Sequence, residues 1–337
     1  MFMSAMQELI KNFPLQITKA IEIGKNQKVT KPEREIRNVV VAGLGGSGIG
    51  GNLVESIVAD KISVPLLVSK NYEIPAFIDD HTLFIASSFS GGTEETLIAL
   101  SQVKGAKVAC ITSGGELLKL AEQQGFDYVQ IPNESPCPRA FLGYSFVQLL
   151  YLLKNYGLID SFFEEPLQNS VDFLAEKNEL IHLEAKRLSE IFYQQLPIVY
   201  ADTKLWASIT RLQQQINENA KQLCHTHTMP EMNHNELVGW QLDKSNYTHT
   251  TVLLVKTAYD YPRTRLRMDI CEEIFKQKTE QVHSLYAEGA SFLEQVIYLI
   301  HIFDWASWYL AEKNEVDAFP VETIGHLKHE LSKVPIA

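Results

Sequence analysis

The sequence predicts an α/β protein built as two doubly wound parallel-sheet domains with flanking helices, and three observations carry that expectation. Short β-branched runs alternate with helical stretches along most of the chain, as they do where helices cover both faces of a parallel sheet. The first such run, NVVVA, breaks into GLGGSGIGG, the signature of a strand, a glycine turn and a new helix. The chain has 337 residues, more than one hydrophobic core usually supports, so two domains of about 150 residues each follow.

Taken in order, a helical start is expected over about 4–24, followed by the polar stretch GKNQKVTKPERE. After the glycine turn come the strands PLLVSK, TLFIASS, AKVACIT and YVQIP, with the helices ETLIALSQVKG and GELLKLAEQQG between them. Right-handed crossovers join them. A long helix around 139–156 and a polar, Pro-containing link at 160–170 lead into the second half. There a helix, the strand LPIVYAD, a helix through 204–222, the strands TTVLLVK and VHSLYAEG and an apolar helix over about 290–312 repeat the plan. We divide the chain at 1–157 and 158–337. The repeat is architectural, since the second half has no glycine-rich turn.

Composition narrows the function. A hydrophobic fraction of 45% and a charged fraction of 21% belong to an ordinary globular protein, and no stretch is long and apolar enough to span a bilayer. The opening MFMSAMQELIKNF lacks a cationic start, a long apolar run and a cleavage site, so a cytoplasmic protein is expected. Four widely spaced cysteines, with no Cys-x-x-Cys pair, read as reduced packing residues. A net charge of −11 opposes binding to nucleic acid and means that an anionic substrate must be held by local donors.

Gly43, Gly45 and Gly48 satisfy Gly-x-Gly-x-x-Gly between a strand and a helix, as in dinucleotide-binding folds. Such folds place an acid at the end of the second strand, where this chain has Ser69 and Lys70. A nucleoside triphosphate loop would need Gly-Lys-Ser/Thr, and this loop has no lysine. What it offers is Gly46, Ser47 and backbone amides at a helix N-terminus, fit for an anion or a sugar hydroxyl; a plain tight turn is the other reading. The second turn, SSFSGGTEET, gathers Ser88, Ser90 and Thr93 at another helix start. A capping box explains one Ser and one Glu but not the whole cluster, so these three hydroxyls read as a phosphate cradle that needs neither lysine nor metal.

GLGGSGIGG, then SSFSGGTEET, ITSGG and PRAFLGY, and in the second half QQINENAK, PEMNHNELVGW and LKHEL, resemble the sugar isomerase (SIS) domains of the bifunctional phosphoglucose/phosphomannose isomerase family. The resemblance covers nearly the whole chain. Gly92 departs from it, because the family's turn usually reads Ser-Gly-Asn-Thr. It implies an isomerase of central carbohydrate metabolism, serving glycolysis and gluconeogenesis, that needs no cofactor. The phosphate would be held at Ser88, Ser90 and Thr93, with Ser47 against the sugar and Arg139 stabilising the enediolate.

Aldose–ketose isomerisation needs a base that carries a proton between C1 and C2, a group that opens the sugar ring, and positive charge for the enediolate. The resemblance assigns the base to Glu218 in Asn-Glu-Asn, ring opening to His234, and charge near the ring oxygen to Lys328. It also implies a homodimer in which His234 reaches the neighbouring subunit's site. Glu236 is the rival base. The family's threonine associated with mannose 6-phosphate has no clear match in AFPVETIGHLK, where Phe319 lies near its place and Thr323 nearer the lysine. His225, His227, His234, Glu231 and Glu236 have no metal-site spacing, and no metal is expected. A regulatory sugar-phosphate sensor, an amino-sugar phosphate isomerase and a pentulose phosphate isomerase remain as alternatives.

Overall fold

Residues 5–334 are described by the computed structural model. The expected first helix is two, α1 (Ala5–Lys11) and α2 (Phe13–Lys25), and its expected start at residue 4 lies outside the described residues. Pro14 explains the break: it has no N–H to give to the preceding turn and its ring would crowd that turn's carbonyl.

The first sheet follows the predicted alternation. Its elements are β1 (Asn38–Ala42), α3 (Gly45–Val58), β2 (Leu66–Ser69), β3 (Thr82–Ser88), α4 (Glu94–Ser101), β4 (Lys107–Thr112), α5 (Gly115–Gln124) and β5 (Asp127–Gln130). The strands are all parallel, in the order β2-β1-β3-β4-β5. Strand order therefore reverses between β1 and β3, and Ala42 pairs with Ala86 there, so the two turns that follow these strands open side by side. A crevice outside the C-terminal ends of the strands is where open α/β sheets bind ligands.

A 3-10 turn (Pro138–Phe141) precedes α6 (Leu142–Asn155), and α7 (Glu164–Glu176) and α8 (Asn178–Phe192) follow. Helix α7 occupies part of the stretch expected as a link. Pro166 is compatible with it because it sits in the first turn, where no N–H has an intrahelical partner.

The second sheet contains β6 (Leu196–Asp202), α9 (Trp206–Asn219), β7 (His225–Met229), β8 (Thr250–Lys256), α10 (Pro262–Lys276) and β9 (Val282–Tyr286), with α11 (Phe292–Lys313) and α12 (Glu322–Leu331) after it. Its strands are also parallel, in the order β7-β6-β8-β9. Helix α11 is apolar almost all round and packs along α8 and α9, while α7 packs on both α2 and α11. One apolar core therefore runs under both sheets, from Ile17 and Leu149 to Leu188 and Ile300. Helix α12 is different: it buries no side chain and exposes Ile324, Leu327 and Leu331. No described helix is long and apolar enough to cross a membrane.

Candidate active site

The glycine turn brings α3 close over the end of β1. A Cβ on Gly48 would lie 2.5 Å from the Gly43 carbonyl oxygen, so only glycine allows this approach. Ser47 is buried in the first turn of α3, and among the described residues its hydroxyl has no hydrogen-bond partner. Next to it, β3 ends at Ser88, whose Oγ lies 2.8 Å from Thr93 Oγ1 and accepts from the Gly91 amide at 3.1 Å. Ser90 Oγ accepts from the Gly92 amide at 3.3 Å. Thr93 is the N-cap position of α4 but makes no side-chain capping bond, so the cluster does not spend its hydroxyls on capping. The first-turn amides of α4 remain as donors, as they do at every uncapped helix start. Gly91 holds the turn in shape: its φ is +68°, and a Cβ there would come 1.8 Å from the Gly114 carbonyl oxygen. A Cβ on Gly92 would meet nothing within 4 Å, so this departure from the family pattern removes a side chain without being required by the fold.

Arg139 links this turn to the second half of the chain. A Cβ on Gly46 would lie 3.5 Å from the Arg139 Cα, which puts the 3-10 turn directly against the glycine loop. The guanidinium is buried, with only 5% of the residue exposed. Its Nε donates to Asn219 Oδ1 at 2.9 Å, and its Nη2 donates to the carbonyls of Ala318 (2.6 Å) and Phe319 (2.9 Å). Nη1 makes no hydrogen bond among the described residues. The side chain is thus oriented by three acceptors and keeps one nitrogen for a ligand, the arrangement that stabilises a developing oxyanion without reorganisation.

The backbone of Arg139 is fixed as well. Arg211 Nη2 donates to the Arg139 carbonyl at 2.8 Å and to Asp304 at 3.1 and 3.3 Å, and Gln215 donates to the same carboxylate at 2.7 Å. Burial pushes the Asp304 carboxyl up, and Arg211 and Gln215 only partly offset it. Asn219 is held in turn by Ser307 Oγ at 2.9 Å. The sequence reading missed Arg211, Asp304 and Ser307, which lie in no motif, and gave no role to Gln215, although QQINENAK contains it; only their place on facing helices reveals them.

Glu218 lies beside Arg139, with 3.8 Å between its Oε2 and the arginine Nε. Its carboxylate accepts no hydrogen bond among the described residues. It opens into a cavity of about 520 Å³ lined by Lys221, Pro320 and the first turn of α12, including Thr323. Lys221 closes one wall, donating from Nζ to the Glu218 carbonyl at 2.5 Å and the Pro320 carbonyl at 2.7 Å. Lys328 lies one turn beyond Ile324, outside the lining, exposed on α12.

His234 is not in this group. Helix α9 leaves the C-terminal end of β6 and returns to the opposite end of the sheet, where Glu218 sits; β7 then runs parallel to β6 and delivers His234 back at the first end. The 14 residues of α9 separate the two ends by about 21 Å. His234 is exposed on the 3-10 turn Glu231–His234. Glu236 is at that end too, engaged by Tyr200, His225 and His227. Burial pushes its carboxyl up, but the hydrogen bonds from these three outweigh that and hold it below the usual carboxylate range. His225 and His227 do share one side, because the segment is an extended strand. All four cysteines are buried free thiols, and burial pushes Cys224 up to about 12.

Comparison with known proteins bears on the family and the fold. Residues 181–331 match the family described as bacterial phospho-glucose isomerase C-terminal SIS domain. The chain is 39% identical over 339 aligned residues to the bifunctional phosphoglucose/phosphomannose isomerase of Caldicellulosiruptor bescii, covering 98% of this chain and 99% of that one. It is 33% identical to the protein of the same name from Aquifex aeolicus, covering 94% and 99%. In fold it is similar to the C-terminal domain of glucosamine-fructose-6-phosphate aminotransferase from Francisella tularensis, with a TM-score of 0.76 at 14% identity over 95% of this chain and 99% of that one. Full-length likeness at this level, on a fold of SIS type, makes the chain a member of the bifunctional phosphoglucose/phosphomannose isomerase family.

Proposed function

We propose that the protein interconverts glucose 6-phosphate and mannose 6-phosphate with fructose 6-phosphate through a cis-enediolate. The observation that carries this reading is the pairing of Glu218 with Arg139 against the glycine loop: an unbonded carboxylate next to a buried, pre-oriented guanidinium. A sensor would need the cradle but no such pair. The phosphate sits on Ser88, Ser90, Thr93 and the first-turn amides of α4, and Gly46 and Ser47 meet the sugar. Glu218 takes the proton from one of C1 and C2 and returns it to the other, while Arg139 Nη1 meets the negative charge that builds on the enediolate oxygens.

Ring opening is assigned to His234 of a second subunit, and Lys328 to the ring oxygen. Two features support a homodimer: His234 lies too far from Glu218 of its own chain to act there, and α12 offers an apolar face that nothing among the described residues covers. We keep 1–157 and 158–337 as the two SIS domains, and place the protein in the cytoplasm because four widely spaced cysteines with no Cys-x-x-Cys pair suit reduced thiols.

Fructose 6-phosphate incubated in deuterated water tests the reading. Wild type should yield glucose and mannose 6-phosphates carrying deuterium at C2, and Glu218→Gln should lower both conversion and label uptake by on the order of 10²-fold or more. Label uptake at the wild-type rate in the variant would remove Glu218 from the role of base.

A further inference from the structure

One carboxylate outside the substrate cleft holds the segment that carries His234. Glu236 Oε1 accepts from Tyr200 Oη at 2.5 Å, Oε2 accepts from His227 Nδ1 at 2.7 Å, and His225 Nε2 donates to both oxygens at 3.1 and 3.0 Å. The donors come from β6 and β7, so a side chain two residues after His234 is tied to two strands of the sheet. Trp240 Nε1 donates to Tyr200 Oη at 3.1 Å, which directs the phenol proton toward Glu236. On either side of His234 the chain is held too: Asn233 Nδ2 reaches Cys271 Sγ at 3.1 Å, and Asn235 Oδ1 accepts from the Glu236 amide at 2.5 Å. Arg267 and Cys271 on α10 and Glu231 on the same segment are the other ionisable groups against it. Only His234 is left without a hydrogen bond among the described residues, exposed at the apex.

This is more than a fold would require. An exposed 3-10 turn does not need three side-chain donors on one acceptor, whereas a group that must meet a substrate in a fixed pose needs its support locked. We propose that Glu236, gripped by Tyr200, His225 and His227, is a positioning residue that sets the pose in which His234 meets the sugar ring. It rests on the reading of His234 as the ring-opening group. Glu236 itself touches no substrate, and its role as a rival base gives way to this one.

The test compares Glu236→Ala, His234→Ala and the double variant, each assayed with a cyclic aldose phosphate and with a short acyclic sugar phosphate. Glu236→Ala should lower kcat for the cyclic substrate about 10-fold or more, short of the roughly 10²- to 10⁴-fold that a general acid–base group contributes. It should spare the acyclic substrate. The double variant should be no slower than His234→Ala, because one residue acts through the other. Glu236→Gln, which keeps the shape and an acceptor oxygen, should recover much of the loss. Losses that multiply in the double variant, or an equal fall with the acyclic substrate, would overturn the proposal. So would Glu236→Ala with wild-type turnover while His234→Ala is impaired. Wild-type turnover in His234→Ala would instead overturn the ring-opening reading beneath it. Should Glu236→Ala not fold, Tyr200→Phe and His227→Asn remove one donor each and carry the same comparison.

Discussion

Arg139 enters the sequence as a cation after Cys137 and Pro138, and nothing in its neighbours decides between water and substrate. Its orientation depends on Asn219, Ala318 and Phe319, which lie 80 or more positions away and leave no local trace. The cluster of hydroxyls proposed as the phosphate cradle was legible because Ser88, Ser90 and Thr93 lie close together in sequence: two strands end in hydroxyl-bearing turns, and the topology sets those turns side by side. That same argument yields a prediction. Each hydrogen bond lost to a charged group costs about 1.5–3 kcal/mol, so the Ser88→Ala/Thr93→Ala double variant should raise KM for sugar phosphate by on the order of 10²-fold with the fold intact. Steady-state kinetics at wild-type KM would remove the cradle from the site. The histidines at 225 and 227 were legible only in part, since their common side depends on an extended backbone and their common acceptor, Glu236, lies beyond a turn.

At the scale of elements, the buried strands were the easiest to read, because β1, β3, β6 and β8 are near-continuous β-branched or aromatic runs. Helix α10 was not assigned from sequence. Its inward positions Thr264, Met268, Cys271 and Phe275 have helical spacing, but exposed Leu266 and Ile270 between them blur the pattern. Helix α7 was hidden by Pro166, a breaker in most positions and harmless in a first turn. Loops are where a single atom decides most. Gly91→Ala places a Cβ against the Gly114 carbonyl in a left-handed conformation, so thermal unfolding should show a loss of roughly 1–3 kcal/mol. Gly92→Ala, with open space around its Cβ, should melt with wild type. Equal melting of both variants would mean that the turn moves to accommodate the added Cβ.

At the scale of the whole molecule, the residues proposed for proton transfer and for ring opening are held apart. Glu218 and Arg139 lie at one end of the second sheet, and His234 at the other, with the length of α9 between them. On the reading proposed above, in which Glu218 transfers the proton and His234 opens the ring, two groups so far apart in one chain would serve different active sites of a symmetric dimer, each site taking one from each subunit. Two inactive variants test this directly. Glu218→Gln and His234→Ala are each expected to turn over cyclic sugar phosphate poorly when alone. Unfolded and refolded together, they form mixed dimers in which one of the two sites has both native side chains, so roughly one quarter of wild-type activity should return by random pairing. A mixture that stays as inactive as its components, while gel filtration shows mixed dimers, would contradict the shared site and with it the assignment of these two residues to one reaction.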